Sequence, residues 1–206
     1  APQLPYPISI WTDSDNGATW EIAENPEVPA DYDACIKKLE AAIDTTLVQT
    51  LEDFSPNKTY TIRNPYFNAY AIYNAKKSTS TVWAAGMNKG NIKDASYKAK
   101  LDQTDPSSAW MVVQYNEKWY AYNMGARKLL TVGNNASNAN TAPAKFDDTA
   151  KPLELKAQGD GTFSLRTVQG NMNYMCAAPQ LAYPISVWEP GDGTSWEFKV
   201  NDDVEA

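Results

Sequence analysis

The sequence predicts an all-β fold: three lobes of four short strands each, preceded by one amphipathic α-helix and an N-terminal β-hairpin. Three observations lead there. From Lys58 onward, short runs alternating apolar and polar residues are split by turns rich in Gly, Asn and Asp, the pattern of a barrel or sandwich. These runs recur in three sets, each opening on an aromatic-rich strand. Finally, residues 1–25 reappear near the other end of the chain. Nine of the first eleven positions are identical to 178–188, and after a one-residue gap Gly17, Trp20 and Glu21 match Gly193, Trp196 and Glu197. Repeats of this kind mark modules that stack or string together.

The elements follow in order. Residues 6–11 and 19–22 form two strands around an Asp/Asn/Gly turn at 13–17. Pro26 and Pro29 make the next stretch a linker, because neither can continue a sheet interior. A helix is expected over 31–54. Ile36, Leu39, Ile43, Leu47 and Leu51 fall on one stripe at three- and four-residue steps. Asp31 or Asp33 caps it, and Ser55-Pro56 ends it. The first lobe then places strands at 60–64, 70–73, 98–102 and 110–113, with a long insertion over 74–97. The second places them at 119–123, 128–132, 143–147 and 153–156, and the third at 163–167, 173–176, 184–188 and 196–199. Trp110, Leu153 and Trp196 open the last strand of their lobes and are expected at equivalent buried places.

This divides the chain into four parts. Residues 1–25 are the terminal hairpin of an upstream copy, 26–57 a linker and helix, 58–201 the three-lobed domain, and 202–206 the start of a linker. The orphan hairpin carries Tyr6, Ile8, Ile10, Trp11, Trp20 and Ile22 and is expected to dock on the helix stripe, since an isolated hairpin is marginal in water. A chain that opens inside a repeat reads as a piece of a multi-domain parent.

Composition narrows the chemistry. With no histidine, a Ser-His-Asp triad, a Cys-His pair and His-ligated zinc are excluded. A net charge of −7 argues against nucleic acid and anionic membranes as partners. No apolar run is long enough to span a bilayer. Cys35 and Cys176 have no metal-binding spacing, and either one disulfide or two buried thiols fits them. The adjacent carboxylates Asp147-Asp148 and Asp202-Asp203 do not face each other across a substrate. Neither turn 13–17 nor turn 159–161 has the ligand spacing of a calcium loop. No cofactor, no metal and no enzyme activity are expected.

The lobe endings carry a family likeness. Ile185-Ser-Val-Trp188, Gly191-Asp-Gly193 and Trp196-Glu-Phe198, echoed by Ile8-Ser-Ile-Trp11, Gly17 and Trp20-Glu-Ile22, resemble the ricin B-type β-trefoil pattern over about 58–200. That resemblance implies a non-catalytic carbohydrate-binding module. It also points to Trp188 as the sugar-stacking aromatic, with Asp102 and Asp147 at the matching positions of the other lobes. The chain departs from the pattern too. Ser108 and Thr194 stand where the family has Gln, Leu153 replaces a Trp, and no Asp follows the second strands at Tyr73-Asn74, Thr131-Val132 or Cys176-Ala177.

The candidate ligand-binding residues are therefore Trp188, with Asp192, Thr194 and Tyr183 beside it, and Trp83 and Tyr97 from the long insertion. The expected partners are a glycan and a neighbouring trefoil or catalytic domain of the same parent, at the cell surface or outside the cell. Two other readings compete: a spacer module that binds no sugar, and a protease-inhibitor trefoil using 74–97 as its reactive loop.

Overall fold

The structure, a computed structural model, describes residues 46–133, 142–167 and 173–206. They fall within the compact unit Asp44–Ala206. The expected hairpin over 1–25, its docking, the Pro26–Pro29 linker and the helix as far as residue 45 lie outside the described residues.

Twelve strands run through the described part. They are β1 (Tyr60–Asn64), β2 (Ala69–Asn74), β3 (Ser78–Ala85), β4 (Trp110–Tyr115), β5 (Lys118–Asn123), β6 (Lys128–Thr131), β7 (Lys145–Asp147), β8 (Glu154–Ala157), β9 (Phe163–Arg166), β10 (Tyr174–Ala177), β11 (Ile185–Trp188) and β12 (Glu197–Val200). Six of them close a ring. The pairs β4–β5, β8–β9 and β12–β1 are antiparallel hairpin or closing pairs. They are joined by three single-residue contacts: Tyr60 with Trp110, Trp119 with Leu153, and Phe163 with Trp196. The remaining strands form three caps, β2–β3, β6–β7 and β10–β11. A six-stranded barrel with three hairpin caps is the β-trefoil architecture.

Side-chain alternation explains the closure. In β4, Trp110 and Val112 point inward, as do Ala121 and Asn123 opposite them, while Met111, Val113, Tyr120 and Tyr122 are half-buried on the outside. Trp110 and Trp196 are fully buried and Leu153 nearly so, at the three equivalent places. Each indole donates to a cap: Trp110 Nε1 to the Ala71 carbonyl (2.8 Å) and Trp196 Nε1 to the Met175 carbonyl (2.9 Å). Register makes Ala71 and Met175 equivalent, each being the middle of its cap's first strand. Leu153 has no donor to offer, so the second lobe lacks this tie.

The barrel floor is aromatic. Tyr60, Trp119 and Phe163 are related by the threefold, and the Phe54 ring meets all three, at 5.2, 5.5 and 5.6 Å between centroids, with Phe198 at 5.1 Å. These are the edge-to-face and tilted geometries that aromatic quadrupoles favour. Ser55 N–H donates to the Tyr60 hydroxyl at 2.7 Å, fixing the chain just after the plug.

Two expectations are corrected. Residues 46–54 are not α-helical. Leu47 pairs with Lys199 instead, Val48 N–H donates to the Phe198 carbonyl, and Leu51–Asp53 make a single 3-10 turn. The cause is that β12 has an open edge there, and pairing with it buries Val48 rather than the stripe residue Leu47. Asp53 stabilises the turn by accepting from Gln49 and Thr50 N–H, and these bonds hold its carboxyl below the usual range. The second correction concerns the first lobe. The third strand is Ser78–Ala85, not 98–102, so much of the expected insertion is a strand paired with β2. Residues 95–98 form a 3-10 turn capped by Asp94.

Phe54→Ala removes a ring that touches all three floor aromatics. It is expected to lower unfolding free energy by about 2–4 kcal/mol in urea denaturation. Tyr115→Ala, at a side chain 68% exposed, is expected to stay within about 0.5 kcal/mol of the parent.

Candidate functional site

The third cap carries a concavity beside its exposed tryptophan. Met175, Ile185 and Val187 turn inward from β10 and β11 and are fully buried. Trp188 ends β11 facing outward, opposite Tyr174, with 43% of its surface exposed. Beyond it the chain runs through Glu189, Pro190 and Gly191 into the 3-10 turn Asp192–Thr194. These segments, with Cys176–Ala178, Gln180, Leu181 and Phe67, enclose a cleft of about 470 Å³.

The walls are held from several sides. Thr194 Oγ1 donates to the Gly191 carbonyl (2.8 Å) and accepts from Gly191 N–H (2.9 Å), closing the turn. Asn64 Nδ2, at the end of β1, donates to the carbonyls of Asp192 and Ser195, both at 2.8 Å, and its Oδ1 accepts from Phe67 N–H. The same clamp recurs at Asn123, which donates to Ser107 and Ala109 and accepts from Ala126 N–H. Gly193 lies on the cleft floor, where a Cβ would come within 2.8 Å of Cys176 Sγ and 3.0 Å of the Ala177 carbonyl. Burial pushes the Cys176 thiol up to about 12, so it stays protonated and unreactive at neutral pH.

The first lobe builds the remaining wall. Tyr97 is buried, and its one hydroxyl proton is shared between the Leu181 and Ala182 carbonyls, each at 3.0 Å. Lys93 N–H donates to the Pro179 carbonyl. Gly90, at φ +86°, lets Pro179 and Phe67 approach where a Cβ would sit 2.8 Å from the proline ring. Trp83 is also buried, edge-on to Tyr97 at 5.4 Å, with its indole N–H bonded to Ser96 Oγ. Asp94 caps the turn that carries Tyr97. The Ser96 N–H and the Lys77 ammonium hold its carboxyl at about 2.

The expected site residues therefore separate. Trp188, Asp192 and Thr194 come together at the cleft, with Thr194 buried and its hydroxyl committed to the turn. Tyr183 is half-buried and does not line it. Trp83 and Tyr97 do not offer exposed faces; they brace the cleft from behind. Register also corrects the threefold match. Trp188 pairs with Tyr174 as Asp147 pairs with Leu129 and Ala85 with Tyr70, so Ala85, not Asp102, is the first-lobe counterpart. Asp147 is itself occupied, accepting from Thr149 N–H and pairing with Lys151, and both contacts lower its carboxyl. Sequence reasoning missed Phe67, Gln180 and the Asn64 clamp. The recurrence of Asn at the end of the first strand in two lobes was the available signal.

The chain matches no protein-family model and no curated protein by sequence. In structure it is similar to a ricin B-like lectin of Macrolepiota procera in complex with lactose: TM-score 0.53, 10% identity, covering 71% of this chain and 98% of that one. It is also similar to the Rhizoctonia solani agglutinin, at TM-score 0.51 and 14% identity, covering 71% of this chain and 96% of that one. A mosquitocidal holotoxin matches at TM-score 0.50 and 12% identity, over 70% of this chain and 17% of that one. At such identities the likeness shows the fold alone, a β-trefoil.

Burial raises the Tyr97 phenol from 10.0 to about 12, with Asp94 adding to the rise. A folded value above the unfolded one contributes stability that is complete below pH 10 and is lost as pH rises towards 12. Tyr97→Phe should lose about 1 kcal/mol at pH 8 and show a flatter decline in stability above pH 10 than the parent. Denaturation series at about pH 8, 10 and 11.5, read for both proteins, check this.

Proposed function

We propose that this chain is a non-catalytic carbohydrate-binding module whose third lobe takes an uncharged glycan. The observation that carries the reading is Trp188, a half-exposed indole on the rim of a cleft that also presents Gln180, Glu189 and Asp192. An apolar ring face stacks on the C–H face of a sugar, while carboxylate and amide groups bond its hydroxyls. Among the described residues lining the cleft there is no Lys or Arg, so an anionic sugar would meet two carboxylates with no compensating cation. One structural neighbour is by name a ricin B-like lectin in complex with lactose and another an agglutinin, which supports the reading. In this reading the module belongs to an exported, multi-domain parent and acts outside the cell or at its surface.

The spacer reading has its own observation. The family's Gln is replaced by Ser108 and Thr194, and these hydroxyls serve the backbone: Ser108 Oγ donates to the Asp105 carbonyl as Thr194 Oγ1 does to Gly191. One experiment separates the two. On a glycan array the parent should retain neutral glycans and lose them when the same glycans carry sialic acid or sulfate. Trp188→Ala should weaken retention at least about tenfold. Gly193→Ala should do likewise by driving a methyl group into the Cys176 floor. An array on which the parent retains nothing establishes the spacer reading.

A further inference from the structure

The three barrel faces are built on the same register but not from the same chemistry. On β12–β1 the outward cross-strand pairs are Glu197 with Arg63 and Lys199 with Thr61. On β8–β9 they are Glu154 with Arg166 and Lys156 with Ser164. In both, the Arg and Glu form an ion pair, at 3.0 and 2.6 Å. On β4–β5 the same two places hold Met111 with Tyr122 and Val113 with Tyr120. Leu129 lies beside Tyr122 on β6, and Tyr115 stands exposed at the hairpin tip. One backbone thus presents a charged outer face twice and an apolar, aromatic one once. The fold itself does not require apolar residues there, because the other two faces manage without them.

We propose that the outer face of β4–β5 is a self-association surface, and that its occupant is the same face of a second copy of this chain. Charge selects the occupant. The apolar rows carry no charge, and the rim is balanced, with Glu117 and Lys118 at the tip and the Lys128–Asp148 pair at the other end. A basic partner finds no acidic field on this face and an acidic partner no basic one, although the whole chain carries −7. A face of the same composition fits. An antiparallel pair also has a local twofold axis through its centre, here between Val113 and Tyr120. A copy turned about an axis in the interface therefore meets matching rows, and Glu117 can meet the partner's Lys118. That is the isologous geometry of most homodimers, with aromatic side chains filling the layer between two packed sheets.

The test uses the full 206-residue chain in sedimentation equilibrium, from about 1 µM to about 500 µM. The decisive variant combines Met111→Glu, Val113→Lys, Tyr120→Ser and Tyr122→Arg, giving this face the set that β8–β9 already carries on the same register. Val113→Lys alone is the second variant, in case the fourfold change does not fold. The parent is expected to show a reversible dimer, and each folded variant a dissociation constant raised at least about tenfold, with an unchanged near-ultraviolet circular dichroism spectrum. A parent that stays monomeric throughout overturns the proposal. So does a dimer that Val113→Lys or the fourfold variant leaves equally tight.

Discussion

Everything in this barrel converges on Phe54. A ring of six strands leaves an opening at its base, and side chains from three equivalent positions must fill it without clashing on the axis. Tyr60, Trp119 and Phe163 reach inward from the three lobes, and Phe54 stands among them in contact with each. Each of these three aromatics also makes the single backbone contact that joins neighbouring strand pairs, with Trp110, Leu153 and Trp196. Floor packing and barrel closure are therefore one event. The segment that delivers Phe54 starts along β12, where Thr46, Leu47 and Val48 pair with that edge, and then turns through Leu51–Asp53 instead of coiling into an α-helix.

Much of this was legible in the sequence. Eleven strands fall where alternation and turn residues put them, because a half-buried strand writes its two faces into the chain as a period of two. The Trp110, Leu153 and Trp196 set was legible because each opens a strand of the same pattern. What was hidden depended on partners remote in sequence. Residues 46–54 carry helix-like spacing, yet the open edge of β12 outweighed a local preference worth only tenths of a kcal/mol per residue. Ser78–Ala85 begins Ser-Thr-Ser-Thr, with no apolar alternation to mark it, and becomes a strand because β2 is beside it. Of the site, Trp188 was readable through the family resemblance, as the aromatic that ends the third strand of its lobe. The bracing role of Trp83 and Tyr97 was not, since Tyr97 bonds a loop 84 residues away.

The three lobes show how a repeated scaffold is made to do different things. The framework is shared: inward aromatic residues at the floor, an indole tied to the cap in two lobes, an Asn clamp in two lobes. The outward positions vary freely because the barrel does not depend on them. At the end of the third cap strand the lobes present Ala85, Asp147 and Trp188 in turn, and only the last offers a ring face. The first lobe instead spends its extra residues on a brace across to the third, through Tyr97 and Lys93. The cleft at Trp188 is thus a product of two lobes, the third supplying most of its lining and the first supplying Phe67 and the brace behind it.

This account requires that the threefold scaffold bear one glycan site, not three. Isothermal titration of the parent with a neutral glycan retained on the array measures it directly. The account predicts saturation at a single glycan per chain, since neither Ala85 nor Asp147 can stack a sugar ring. Saturation at two or three equivalents, one per lobe, would contradict it.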